Sequence, residues 1–307
     1  MLSFKSFINI LKSAGKSFGA DNAIKLSASL SYYTVFALGP MLMIMISLAG
    51  LFLGEDAVKG KIYAQLKTLV GSSAALQIQE IIKNIEASQF TSTGVVIGGI
   101  LLVLGATGVF TEIQDSINYI WSIRAKPKKN WLRYLTNRLI SFSLVVGLGF
   151  LLLVSLLINT LIDAFSDYLT RFFSDDTYYI AGFINTVLTL GIITGLFSII
   201  YKVLPDARIA WRDALVGSGF TAVLFILGKF LIGLYMAHSK VGLTYGTAAS
   251  IIVILTWIYY SSIILYFGAE FTKVYALTRG EGIKPYDTAV FIVKTETKEI
   301  KPMTEAS

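Results

Sequence analysis

The chain has no cysteine and a single histidine, His238. The first absence rules out disulfides, thiolate nucleophiles and Cys-based metal sites, and the second rules out multi-histidine centres. Charge is also scarce: only 15% of the 307 residues are Asp, Glu, Lys or Arg, against about 25% in soluble domains. GxSxG, Walker A and HExxH patterns are missing, and the carboxylates form no spaced metal-binding set, so neither enzyme chemistry, a metal nor a cofactor is expected.

Apolar residues fill the space the charges leave. They make up 55% of the chain, and the mean hydropathy is +0.69. A helix needs about 20 apolar residues to cross hydrocarbon about 30 Å thick. Six stretches meet this, at about 33–54, 94–111 (continuing as helix toward Trp121), 139–162, 179–201, 214–236 and 248–269. The fifth alone contains an internal charge, Lys229. The expected fold is an all-α membrane protein with six transmembrane helices.

Lys and Arg beside the spans set the orientation. Lys5, Lys12, Lys16 and Lys25 precede the first span; Arg124, Lys126, Lys128, Lys129, Arg133 and Arg138 fill the second loop without an acid between them. Lys202, Arg208 and Arg212 mark the fourth loop, and Arg279, Lys284, Lys294, Lys298 and Lys301 follow the sixth span. The other loops are balanced, acidic or nearly uncharged, so both termini are placed on the cytoplasmic side. This topology accounts for the net charge of +7 without nucleic-acid binding.

Three parts are expected. Residues 1–22 carry Phe4, Phe7, Ile8, Leu11 and Phe18 at helical spacing with lysines on other faces, which suits an amphipathic helix on the anionic cytoplasmic leaflet. Residues 23–279 form the membrane domain, with two short amphipathic helices in its first outer loop. Residues 280–307 read as a mostly disordered cytoplasmic tail, with "AVFIVKTETKEIKP" briefly extended.

Ionisable groups within a span are costly and are functional candidates by default. By span depth Lys229 lies toward the outer face and Glu270 at the inner end of the sixth span. They stand roughly 13 helix steps apart, about 20 Å, too far for a direct pair. Asn185 and Thr189 on the fourth span and Thr256 on the sixth match the depth of Lys229 better, with Asn159 and Asp163 also in range. Pro40 frees a carbonyl in mid-span. Lys229 can face such groups inside the bundle, or snorkel to the outer interface. Tyr32 belongs to "SASLSYYT", which puts hydroxyls at the cytoplasmic end of the first span as packing devices or as the lining of a polar path. Glu112, Asp115, Arg208, Arg212, Asp213 and Glu270 gather at the cytoplasmic face as helix-tying charge pairs, or as a gate or headgroup site.

The segments "LSASLSYYTVFALGP" (26–40), "INYIW" (117–121), "ARIAWRDALVGSGFTAVLF" (207–225), "GKFLIGLY" (228–235) and "YGTAASIIVILTWIYYSSIILYFGAEFTKVY" (245–275) resemble the YihY/BrkB family of bacterial inner-membrane proteins in order and spacing. The likeness covers about residues 15 to 279. It implies a six-helix membrane protein linked to virulence and serum resistance, to envelope lipid or lipopolysaccharide handling, and to cation transport. A ribonuclease BN label is attached to the family too, and the lone histidine and absent acidic metal cluster argue against it. Two readings stay open: transport or flipping of an envelope lipid, small solute or ion through a polar cavity, and a non-transporting envelope factor that binds lipids or partner proteins. Membrane lipids are the expected partners, with an anionic lipid or an ion as substrate.

Overall fold

The computed structural model describes residues 4–37, 75–80, 108–126, 176–238 and 249–294, and the side chains of most but not all of these. Pro40, the third expected span and most of the first two and of the outer loop lie outside the described residues.

Among the described residues the fold is mostly helical. Helix α1 spans Phe4–Ala20, and α2 runs through 23–37 and α3 through 108–120. Strand β1 is Ile123–Ala125, α4 is Asp176–Val203 and β2 is Ala207–Ile209. Then come α5, Trp211–His238, α6, Ala249–Thr278, and strands β3, Ile283–Pro285, and β4, Ala289–Phe291. Among the described residues two helical stretches, Trp211–Tyr235 and Ile251–Thr278, are long and apolar enough to cross a membrane; Thr189–Val203 in α4 is apolar but shorter.

Helices α5 and α6 lie antiparallel, keyed by glycines. Gly217 faces Thr272, Gly268 faces Thr221 and the Tyr201 hydroxyl, and Gly228 faces Tyr260 and Ile264. A Cβ at any of these three would collide with the facing side chain. Between apolar helices in lipid, hydrophobicity gives little drive to associate, so close backbone approach at small residues supplies the attraction. The Tyr201 hydroxyl from α4 closes the same layer, donating to the Leu265 carbonyl at 2.7 Å and lying 3.2 Å from Thr221 Oγ1.

Helix α1 uses a different seam from the expected one. Ile10 and Ala14 are its buried residues, and Phe7 and Phe18 pack beside them against Phe220, Phe267 and Phe271. Positions 7, 10, 14 and 18 follow the helical repeat. Phe4 falls off this line and is 80% exposed.

The segment after Gly280 is structured as far as residue 294, further than expected, and Ala289–Phe291 within it is extended as the sequence suggested. Strand β4 pairs antiparallel with β1, and β3 with β2. These short strands are held by partners distant in sequence, which periodicity over three residues cannot reveal. Together α2, α3, both ribbons and the adjoining ends of α4, α5 and α6 share one core that includes Ile117, Ile120, Trp121, Tyr201, Tyr266 and Ala269.

Candidate functional site

The ends of α1, α3 and α6 meet at a buried cluster of charge. Asp21 follows α1 in a turn where Asn22 takes a positive φ of 51°, a conformation that asparagine tolerates better than most residues. Glu270, on α6, has no solvent exposure. One ammonium serves both acids: Lys273 Nζ lies 3.4 Å from Glu270 and 3.5 Å from Asp21. The same Nζ donates to the Ile120 carbonyl at 2.6 Å, at the C-terminal end of α3, where a cation is favoured.

The segment after β4 delivers a second lysine. Lys294 Nζ is 2.6 Å from Asp21 and 4.3 Å from the centre of the Tyr119 ring. Burial moves the Lys294 pKa below the ordinary lysine value, with the Asp21 carboxylate acting in the opposite direction. Trp121 Nε1 donates to the Ala269 carbonyl at 3.1 Å, bracing α3 against α6. Glu270 Oε1 has no hydrogen-bond partner among the described residues, although an unmet buried acceptor is costly.

A second polar knot joins α3 to the turn before β2. Asn118 and Asp206 bond reciprocally: Asn118 Nδ2 donates to the Asp206 carboxylate at 2.9 Å, and the Asp206 backbone N–H donates to Asn118 Oδ1 at 2.8 Å. Gln114 Nε2 adds a weaker contact at 3.3 Å. Asp115 keeps much of its side chain exposed, yet its carboxyl is pushed above the ordinary range, first by burial and then by Glu112 and Asp206.

The other expected residues scatter. Asp213 is buried near the start of α5, where its carboxylate accepts the Glu281 N–H at 3.0 Å and packs against Gly280. Arg208 and Arg212 are exposed. Tyr32 is 59% exposed and packs on Tyr33 and Phe36. Thr256 donates to Ile252 within its own helix. Asn185 lies on α4, but its side chain is outside the described set, as is Pro40.

Lys229 is half-buried on α5, immediately after Gly228 and level with Tyr260. Since Thr221 faces Gly268, Glu270 sits near the level of residue 219, about ten helix steps or roughly 15 Å from Lys229. The two belong to different layers. Sequence reading named neither Asp21, Asn118 nor Lys294 as a site residue. "INYIW" held one clue, since Asn118 is the polar residue in an otherwise apolar turn.

The family model for virulence factor BrkB matches residues 14–290. The chain belongs to that family. A UPF0761 membrane protein of Pseudomonas paraeruginosa is 29% identical over 270 residues, covering 87% of this chain and 62% of its own length. A UPF0761 membrane protein of Pseudoalteromonas translucida is 28% identical over 259 residues, covering 82% of this chain and 81% of its own length. This BrkB-family chain spans about three fifths of the length of the Pseudomonas relatives it matches. No solved structure matches it. The relatives support placing the chain in a membrane, and within that frame the charge cluster closes one end of an apolar bundle.

Proposed function

We propose that this BrkB-family protein moves an envelope lipid, small solute or ion across the bacterial plasma membrane. On this reading it is a multi-pass protein with both termini cytoplasmic, and the bundle that contains Lys229 is the path. The observation that carries the reading is the position of Lys229. It sits half-buried within the membrane-length stretch Trp211–Tyr235, nearer its Tyr235 end and beside the close Gly228–Tyr260 contact. An ammonium within a span is costly and is kept where it meets polar groups or an anionic ligand. Glu270, fully buried and incompletely bonded, supports a second polar station one layer toward the cytoplasm.

A second reading, a non-transporting envelope factor, is favoured by a different observation. Asp21, Lys273, Lys294, Asn118 and Asp206 all bond to one another or to helix ends. That arrangement suits a fixed scaffold as well as a gate.

Flux in proteoliposomes separates the two. Purified wild type, Lys229→Ala and Glu270→Gln are reconstituted, and movement of labelled phosphatidylglycerol and of rubidium is followed. The transport reading expects wild-type flux of one probe above empty liposomes, falling to near background in Lys229→Ala. Equal flux in all three proteins removes both residues from the path. Flux no greater than in empty liposomes for either probe favours the envelope factor.

A further inference from the structure

The β2–β3 ribbon turns two positive charges outward side by side. Its register sets Arg208 directly opposite Lys284, while the flanking Ala207, Ile209 and Ile283 face the core. Side chains directly opposite in an antiparallel pair have Cβ atoms about 5 Å apart, and like charges there oppose pairing. Neither residue forms any of the ion pairs found among the described residues. Of the acids near the ribbon, Asp206 is bonded to Asn118 and Gln114 and Asp213 to the Glu281 N–H, while Glu281 and Asp287 are exposed and take part in none of these ion pairs. The ribbon therefore retains an electrostatic cost that an anion on its outer face would relieve.

The surroundings suit a phosphate. The Arg208 guanidinium lies 5.5 Å from the Tyr286 ring centre, and Tyr286 is itself tied down by its backbone N–H to the Asp206 carbonyl at 3.0 Å. A guanidinium steadied on a ring presents its planar fork to two oxygens of one phosphate, and a lysine adds a point charge beside it. Beyond the ribbon, Lys202 sits 5.6 Å over the Trp211 ring and donates to the Ile209 carbonyl. Trp211 is 55% exposed and opens the membrane-length stretch of α5. Tryptophan and tyrosine sit at headgroup level at the ends of spans, which puts the ribbon where lipid phosphates lie.

We propose that the outer face of the β2–β3 ribbon is a phosphate-binding site, in which Arg208 and Lys284 hold the oxygens, supplied by an anionic phospholipid headgroup or by a soluble phosphate compound. The site depends on the protein standing in a membrane and not on transport, so its failure would leave the flux reading intact.

The test uses full-length protein in neutral detergent, with thermal denaturation as readout. Short-chain phosphatidylglycerol, short-chain phosphatidylcholine and inorganic phosphate are added separately to wild type and to the double variant Arg208→Gln, Lys284→Gln. Ligand that binds only the folded state raises Tm. Phosphatidylglycerol is expected to raise the wild-type Tm by several degrees and the double variant's far less, with phosphatidylcholine acting equally on both. A pair-dependent rise with inorganic phosphate alone keeps the site and names a soluble source. No rise in wild type with either anion, or an equal rise in both proteins, overturns the proposal.

Both substitutions are on the exposed face and remove a repulsion together with the Arg208–Tyr286 contact, so the ligand-free double variant should melt close to wild type, and each rise is read against the same protein without ligand. Lipid retained through purification gives a second readout by mass spectrometry. Wild type should carry more phosphatidylglycerol per chain than the double variant, and equal loads would also overturn the proposal.

Discussion

The molecule joins its helices by two different means. In the apolar layer, α5 and α6 meet through Gly217, Gly228 and Gly268, and side chains such as Tyr260 and Thr221 press into the opposing backbone. At the charged end, α1, α3, α6 and the segment after β4 meet through Asp21, Glu270, Lys273 and Lys294. Two of the glycine contacts, Gly217–Thr272 and Gly268–Thr221, stand at the level of Glu270 and Lys273, so the contrast is between faces of α6 and not between depths. The face toward α5 depends on shape, as close packing at small residues joins apolar helices. The face toward α1 and α3 depends on charge, and buried ions there specify which helix end meets which.

The sharpest way to break this contrast is to remove the shared ammonium. Lys273→Ala leaves Glu270 and Asp21 buried together, and breaking such a pair costs about 3–5 kcal/mol. Denaturation in detergent followed by tryptophan fluorescence should show a loss near that size. Adding Glu270→Gln should recover part of it, because the second change removes a stranded charge. If Lys273→Ala is neutral, the charge layer is decoration and the contrast fails.

Next in size is the shape layer. Gly268→Leu drives a side chain into Thr221 and the Tyr201 hydroxyl, and overpacking of this kind costs about 1–3 kcal/mol. In the same denaturation assay Gly219→Leu, whose Cβ meets nothing within 4 Å, should cost much less. Equal losses at both positions would show that close approach does not join these helices.

The smallest effect concerns Asp115. Its raised pKa means that the folded state binds this proton more tightly than the unfolded chain. Folded stability therefore falls as pH rises through the folded-state pKa. Asp115→Asn removes the crowded charge, so its Tm should slightly exceed wild type at pH 7. The gap should close as pH falls below the ordinary Asp value of 3.8. A constant difference from pH 3 to pH 7 would mean that the amide acts by shape and not by charge.

Sequence reading reached these layers unequally. Long apolar runs with few charges mark helices of membrane length, and Trp211–Tyr235 and Ile251–Thr278 overlap two of the stretches named from hydropathy, 214–236 and 248–269. Crowding of charge near the starts and ends of helices was equally legible. Pairing was not. Asp21 and Lys294 meet across almost the whole described chain, and no local pattern records a contact of that reach. The extended stretch at Ala289 was named, but its pairing with β1 and the β2–β3 ribbon were not, because strands of three residues are too short for alternation to show. The seam of α1 lay between these cases, since its periodicity was visible but could not say that Ile10 and Ala14 would be buried while Phe4 stayed exposed.

The β1–β4 ribbon carries a consequence for the order of assembly. Ile123 pairs with Phe291 and Ala125 with Ala289, so a strand made early in synthesis must wait for one made late. During that interval the helices between them can form while β1 lacks its neighbour and Asp21 lacks Lys294. Contacts so far apart in sequence form slowly compared with local ones. The final strand thus acts as a completion signal: a chain halted before residue 289 would carry its apolar helices but lack the clasp that closes their charged end, and it would be distinguishable from the finished protein by proteolysis at that end alone.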